Sequence, residues 1–227
     1  MPDLSFRIGE ITAMRYAAVP TISTRLYITN AVKEEQIQSI SLNCQVQLQP
    51  LGRAYSAAEE ARLLDLFGER EQWSRTLKPL HWMNVVVRVL PFRCEVAVDL
   101  PLPCSLDFDV AANKYFYGLE AGSISVAVFF SGTTFYADEH GLLQVAQIPW
   151  DRDARFKLPV EVWKQAIGAH FPDSAWVRVP HETFERLYQY KVAHGIPSWE
   201  QAVDRLLEVA ERRSNADEVT ASAGESR

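Results

Sequence analysis

The chain is predicted to be mainly β: an antiparallel β-sandwich with one inserted helix near 57–67 and a C-terminal helical layer, an α+β arrangement overall. Three observations predict it. Along 40–49, Ile40, Leu42, Cys44, Val46 and Leu48 alternate with Ser41, Asn43, Gln45, Gln47 and Gln49, the period-two pattern of a strand with one dry and one wet face. Similar short rows recur to about residue 148, divided by Gly, Pro and polar clusters, which suits antiparallel neighbours rather than crossover helices. Beyond Trp150 the apolar period lengthens to that of amphipathic helices.

The first strand is expected at 4–11 from Leu4, Phe6 and Ile8, with Gly9 and Glu10 marking a kink or bulge. Ile22, Thr24, Leu26 and Ile28 make the next inward row, and 30–36 is a polar connection. The strand at 37–49 stops at Pro50, which cannot donate to a ladder. Ser56 and Glu59 then form a capping box, opening a helix whose Leu63, Leu64 and Phe67 stripe ends at Gly68. The segment 73–82 reads as an ordered loop laid across the sheet, its two indoles partly buried.

Strands resume at 84–89 and 92–100, the second with Phe92, Cys94, Val96, Val98 and Leu100 inward. Pro101 and Pro103 make the stretch to Val110 an edge-like extended segment. Ile124, Val126, Val128 and Phe130 form another inward row before Ser131-Gly132-Thr133 turns the chain, and 135–137 pairs with 142–148 as a hairpin. Helices follow at 160–170 and 181–194; a third is capped by Ser198 and carries the stripe Trp199, Ala202, Val203, Leu206, Leu207 and Ala210. The expected organisation is a sandwich over 1–158, helices packed on it over 159–213, and a disordered tail over 214–227, where the residues are small, polar and acidic.

With 227 residues, 48% of them apolar, there is ample material for one core. The net charge of −6 and the lack of a Lys/Arg-rich run argue against a nucleic-acid or anionic-membrane surface. There is no apolar run long enough to span a bilayer and no basic-then-apolar leader, so a cytoplasmic location is expected. Three cysteines cannot all pair within one chain, which fits a reducing compartment. Cys44, Trp82 and Cys94 distantly echo the immunoglobulin Cys-Trp-Cys order, and buried free thiols explain the pattern equally well.

Reactive constellations are thin. His181, Glu182 and Glu185 touch on the zinc motif HExxH, but the second histidine is missing and acidic residues belong in a first helical turn anyway. Asp107 with Asp109, and Asp151 with Asp153, are carboxylate pairs at a spacing that solvated strands and turns also produce. The histidines at 81, 140, 170, 181 and 194 are scattered, no serine has a glycine elbow, and Cys104, the thiol expected to be most exposed, has no cation to stabilise a thiolate. No catalytic residue, cofactor or metal ligand is therefore assigned.

Trp73, Trp82, Trp150, Trp163 and Trp176 with Tyr55, Tyr115 and Tyr117 could line a sugar-stacking platform, although their apolar and proline neighbours favour core and lid packing. Trp199 with Leu206 and Leu207 could dock a partner. The residues singled out for ligand or partner contact are Trp73, Trp82, Trp150, Tyr117 and Trp199.

Several landmarks carry a resemblance: Arg25-Leu26-Tyr27-Ile28, Ile40-Ser41-Leu42, Arg53-Ala54-Tyr55, Leu66-Phe67-Gly68, Trp73, Thr76-Leu77 and Trp82, continued by Phe130-Ser131-Gly132-Thr133, Ile148-Pro149-Trp150, Pro159-Val160-Glu161-Val162-Trp163, Phe171-Pro172 and Trp176. Over roughly 4–208 the chain resembles a bacterial family of unknown function whose members look like companions of uptake nickel–iron hydrogenase and hydrogenase-maturation genes. The resemblance implies an accessory role and supplies no functional residues. The expectation is a non-catalytic cytoplasmic accessory or assembly protein that binds another protein and is linked to hydrogenase maturation. The alternative is a small-molecule or carbohydrate-binding module using aromatic side chains.

Overall fold

Alternating apolar residues build two antiparallel sheets in the computed structural model of this chain. It describes every residue except 105–109, 139, 173–176, 178 and 225–227, and only the backbone from 214 onward. The described residues fall into two compact units, Met1–Trp176 and Val177–Arg227. In the first, β1 (Leu4–Met14), β2 (Thr21–Asn30) and β5 (Glu95–Pro103) form a sheet in the order β1-β2-β5. The second sheet has the order β4-β3-β6-β7, from β4 (Leu80–Val89), β3 (Gln36–Gln49), β6 (Ser123–Ala137) and β7 (Leu143–Gln147), with β8 (Asp153–Pro159) also on β6. The predicted class, a mainly antiparallel β-sandwich with added helices, is what the chain adopts.

The inward rows meet between the sheets. Ile22, Leu26 and Ile28 of β2, Ile40, Leu42, Cys44, Val46 and Leu48 of β3, and Ile124, Val126, Val128 and Phe130 of β6 are all buried. Phe6 of β1 stacks on Phe130 with ring centroids 4.2 Å apart, joining one sheet to the other. The register of β1 against β2 slips between Ile8 and Ile11, where Gly9 and Glu10 mark the expected bulge.

Helices cover the end of the sandwich. The capping box forms as read: Ser56 Oγ accepts from the Glu59 amide at 3.1 Å, and Glu59 Oε2 accepts from the Ser56 amide at 3.1 Å. The expected single helix is broken at Leu63 into α1 (Ala57–Arg62) and α2 (Leu64–Phe67), and Gly68 ends it with φ +71°. A 3₁₀ turn over Arg70–Gln72 and α3 (Trp73–Thr76) replace the expected loop, and α4 (Ala111–Gly118) and α5 (Val160–Gly168) complete this unit.

Several sequence readings are corrected. Ser131-Gly132-Thr133 is not a turn: β6 runs straight through it, and Gly132, at φ +137°, lets the Ser41 carbonyl approach where a Cβ would sit 2.0 Å away. The extended segment expected to reach Val110 ends at Pro103, and the unforeseen α4 follows, its Tyr115 and Phe116 fully buried. β8 is a strand that the sequence reading leaves unassigned, its alternating Asp153, Arg155 and Lys157 giving it a charged outer face. Cys94 is exposed rather than inward, Cys104 is buried rather than exposed, and all three thiols are free. Strand β5 starts only at Glu95, so Cys94 lies on its approach and not on its inner face.

β7 and β8 lie end to end along one side of β6. Thr133 faces Gln147 and Phe129 faces Asp153. Between them the chain leaves the ladder, held at either end by Ile148 N donating to Gly132 O at 2.9 Å and Phe130 N donating to Arg152 O at 2.9 Å. Trp150 sits in that excursion, 91% exposed.

The second unit contains α6 (His181–Ala193) and α7 (Trp199–Gly224). Gly195, at φ +61°, allows the turn between them, and Ser198 Oγ accepts from the Gln201 amide at 3.2 Å as the expected cap. The tail expected to be disordered from 214 continues as helix to Gly224.

Candidate partner-binding surface

The aromatic residues singled out from the sequence do not form one platform. Trp73 is buried: its indole N–H donates to Gly68 O at 2.9 Å, Tyr55 meets it edge-on at 4.9 Å, and the Arg70 guanidinium lies 4.5 Å from its ring. Trp82 is buried against Phe116 at 4.9 Å, and Phe116 stacks on Trp163 at 5.0 Å and 4°. These two indoles are core and lid. Trp150 and Tyr117 are exposed, on the β7–β8 excursion and on α4 respectively, and Trp176 lies outside the described residues.

Trp199 differs. It stands on the first turn of α7 among Phe184, at 5.3 Å, and Tyr188, at 6.2 Å, both from α6, with Lys191 Nζ 5.5 Å from its ring centroid. All three rings keep substantial exposure, 40% for Trp199, 40% for Phe184 and 49% for Tyr188. Val203, Leu206 and Leu207 continue the exposed apolar face along α7, and Val192 adds to it from α6. Phe184 and Tyr188 were not singled out from the sequence, although their four-residue spacing before Lys191 and Val192 is a stripe of the kind used for α7.

Most of the polar atoms beside α1 are committed to structure. Arg53 Nη2 donates to Glu59 Oε1 at 2.6 Å and to Ala121 O at 2.7 Å, and Nη1 donates to Ser123 O at 3.2 Å. Glu59 also accepts from the Glu120 amide at 2.8 Å. Burial alone would push the Glu59 carboxyl up, but the Glu120 and Ser56 amides and the Arg53 guanidinium together hold it below the usual carboxylate value. Beside this pair the Tyr55 and Tyr115 hydroxyls share a hydrogen bond of 2.8 Å, and burial raises both. With its oxygens engaged by three backbone and side-chain donors, Glu59 is an anchor between α1 and the start of β6, not a base waiting for substrate.

The remaining candidates are dispersed. His181 is on the surface, 3.9 Å from Glu185, and no group of three or more His, Cys, Asp or Glu that could hold a metal occurs among the described residues. Asp153 pairs with Arg155 at 3.1 Å and Asp151 lies 3.9 Å from Arg152, whereas Asp107 and Asp109 lie outside the described residues. Burial pushes the Cys44 and Cys104 thiols up to about 12, the opposite of an activated thiolate. No described helix is long and apolar enough to cross a membrane.

Over residues 1–215 the chain matches DUF6084, a family of unknown function, and belongs to it. No curated protein matches the chain. Among solved structures it is similar to the CARDB domain of a Pyrococcus furiosus protein in complex with di-metal ions, at 11% identity and a TM-score of 0.28 over 69% of this chain and 91% of that one. It is also similar to β-glucosidase 3B from Thermotoga neapolitana in complex with α-D-glucose, at 15% identity and a TM-score of 0.24 over 68% of this chain. The chain spans only 17% of the length of that enzyme. Likenesses this faint say nothing of what the chain binds.

Proposed function

We propose that this member of the DUF6084 family is a non-catalytic accessory protein that binds another protein through the exposed face of α6 and α7. One observation carries the reading: Phe184, Tyr188, Trp199, Val203, Leu206 and Leu207 form a run of large apolar side chains on two adjoining helices, all at least 38% exposed. Scattered apolar residues are ordinary on a surface, but a contiguous aromatic and aliphatic strip of this kind is characteristic of helix-mediated recognition. Aromatic anchors flanked by Leu and Val, with Lys191 and Arg205 nearby in sequence, match the composition of interface cores and rims. The carbohydrate-binding alternative has less support, because Trp73 and Trp82, two of the rings it needs, are buried.

The sequence resemblance makes a nickel–iron hydrogenase subunit or maturation factor the first partner to test, in the cytoplasm. The experiment is affinity capture of the tagged chain from its native host, followed by mass spectrometry, beside Leu207→Asp. Leu207 is 55% exposed, so the substitution leaves the fold intact while placing a charge in the strip. Capture of such a partner by the native chain, reduced at least about tenfold by the variant, is the expected result. Capture that the variant leaves unchanged removes the helical face from the proposal, and the absence of any reproducible partner removes the proposal itself.

A further inference from the structure

We infer that His170 is a proton-operated latch: its charged ring ties the β1–β2 connection, residues 15–20, to the end of α5, and its neutral ring releases that connection. The ring stands two residues past α5, half-buried, with Nδ1 3.1 Å from Ala166 O and Nε2 2.8 Å from Ala17 O. Ala166 O is left for the ring because the His170 amide donates to Ile167 O at 3.0 Å instead. Both partners are backbone carbonyls, which only accept. A neutral imidazole carries one N–H, so only the imidazolium donates to both.

Either neutral tautomer turns a lone pair on a carbonyl and loses one bond. The bond kept at least entropic cost is the one to Ala166, four residues away at the same helix end, and the one lost is the bond to Ala17, 153 positions away. Among the described residues no other side-chain hydrogen bond reaches residues 15–18. An open cleft of about 610 Å³ lies between the parts that the latch joins, lined by Ala13 and Arg15 on one side and by Gln165, Gly168 and Ala169 on the other. Release frees the strip that carries Tyr16, 94% exposed, and loosens that side of the cleft.

The charged side chains around the latch are mostly engaged elsewhere. On the elements packed against α5, Arg7 of β1 lies 4.1 Å from the Tyr27 ring centroid and Arg25 of β2 pairs with Asp99 at 2.6 Å. On β8, Arg155 pairs with Asp153 at 3.1 Å and Lys157 donates to Ser125 Oγ at 2.6 Å. On α5, Lys164 donates to Glu120 O at 2.7 Å and Glu161 accepts from Gln165 at 3.4 Å. Glu10 of β1 and Arg15 remain, and Arg15, lining the cleft, is the cation that opposes the imidazolium; Asp173 lies outside the described residues. Among the described residues no ion pair reaches His170, so the two carbonyls are what its second ring proton serves.

Nuclear magnetic resonance of the full chain between about pH 5 and 8.5 tests the inference, since histidine changes charge within that range. At about pH 5 the native chain is expected to show both His170 ring nitrogens protonated and backbone order parameters of about 0.85 at residues 16–18, falling below about 0.6 by about pH 8.5 while β2 and β3 stay rigid. In His170→Ala the connection is expected to lie below about 0.6 at both pH values, with the rigid strands showing that the fold is intact. A native connection equally ordered at both pH values overturns the inference, as does a variant whose connection is as ordered as the native one at about pH 5. So does a His170 ring that holds one proton at about pH 5 while the connection is ordered, a result that needs no variant.

Discussion

Gly132 shows how much one residue can decide. Its φ of +137° lies where side chains other than hydrogen are strained, and a Cβ would lie 2.0 Å from Ser41 O and 3.1 Å from Ser41 C, both backbone atoms that cannot rotate aside. Gly132→Ala must therefore push β3 and β6 apart at the centre of the larger sheet. The expected cost is about 3 kcal/mol or more, read as a lower midpoint in urea with an unchanged slope. The sequence marks Ser131-Gly132-Thr133 as special but assigns the wrong reason. Local turn chemistry and a distant strand's close approach ask for the same residue, and only pairing across the sheet tells them apart. Cys94 and Cys104 are exchanged in exposure for two reasons: Cys94 precedes β5, whose start is set by its partner strand, and Cys104 continues the buried row of Leu100 and Leu102 past Pro103, its amide donating to Pro20 O at 2.7 Å.

At the scale of elements, the strands with one dry face were legible and the pieces that close the sandwich were less so. Every inward residue read along β3 is buried, because period two with five apolar residues leaves a single orientation. The helix α4 was missed because Pro101 and Pro103 precede it and it has no side-chain cap, so neither start signal nor composition announces it. Of the aromatic candidates, Trp73 and Trp82 are expected from their neighbours to be partly buried, and the structure adds the rings that enclose them, Phe67 of α2 and Phe116 of α4, whereas Phe184 and Tyr188 gained meaning only beside Trp199. The anchor between α1 and β6 yields a prediction at this scale. Glu59→Gln keeps the size of the side chain but leaves the Arg53 guanidinium, whose side chain is only 13% exposed, without its counter-charge. A loss of about 2–3 kcal/mol in thermal or urea unfolding is expected, with the sheets intact and α1 frayed.

For the whole molecule, the buried acids set the alkaline limit of stability. Folding raises Cys44 and Cys104 from about 9 to about 12 and raises Tyr115 as well, in each case chiefly by burial and for Tyr115 also by its bond to Tyr55. A group whose folded value lies above its unfolded one favours the fold fully below the unfolded value and loses that contribution as pH rises. Their share of stability is therefore expected to be level up to about pH 9 and to fall between about 9 and 12, as the unfolded chain ionises thiols that the core keeps neutral. Urea titrations at a series of pH values measure this slope, and Cys44→Ala with Cys104→Ala should flatten it.

The central place of β3 also bears on how the chain folds. Asn43 and Ser131, facing residues of β3 and β6, are 88 positions apart. Before they meet, β3 has only β4, and β6 only β7 and β8, as partners nearer in sequence. Closing so long a loop costs entropy before any contact repays it, so the pairing of β3 with β6 is expected to be the slow step, and stopped-flow refolding is expected to run on the millisecond-to-second scale of high-contact-order β proteins.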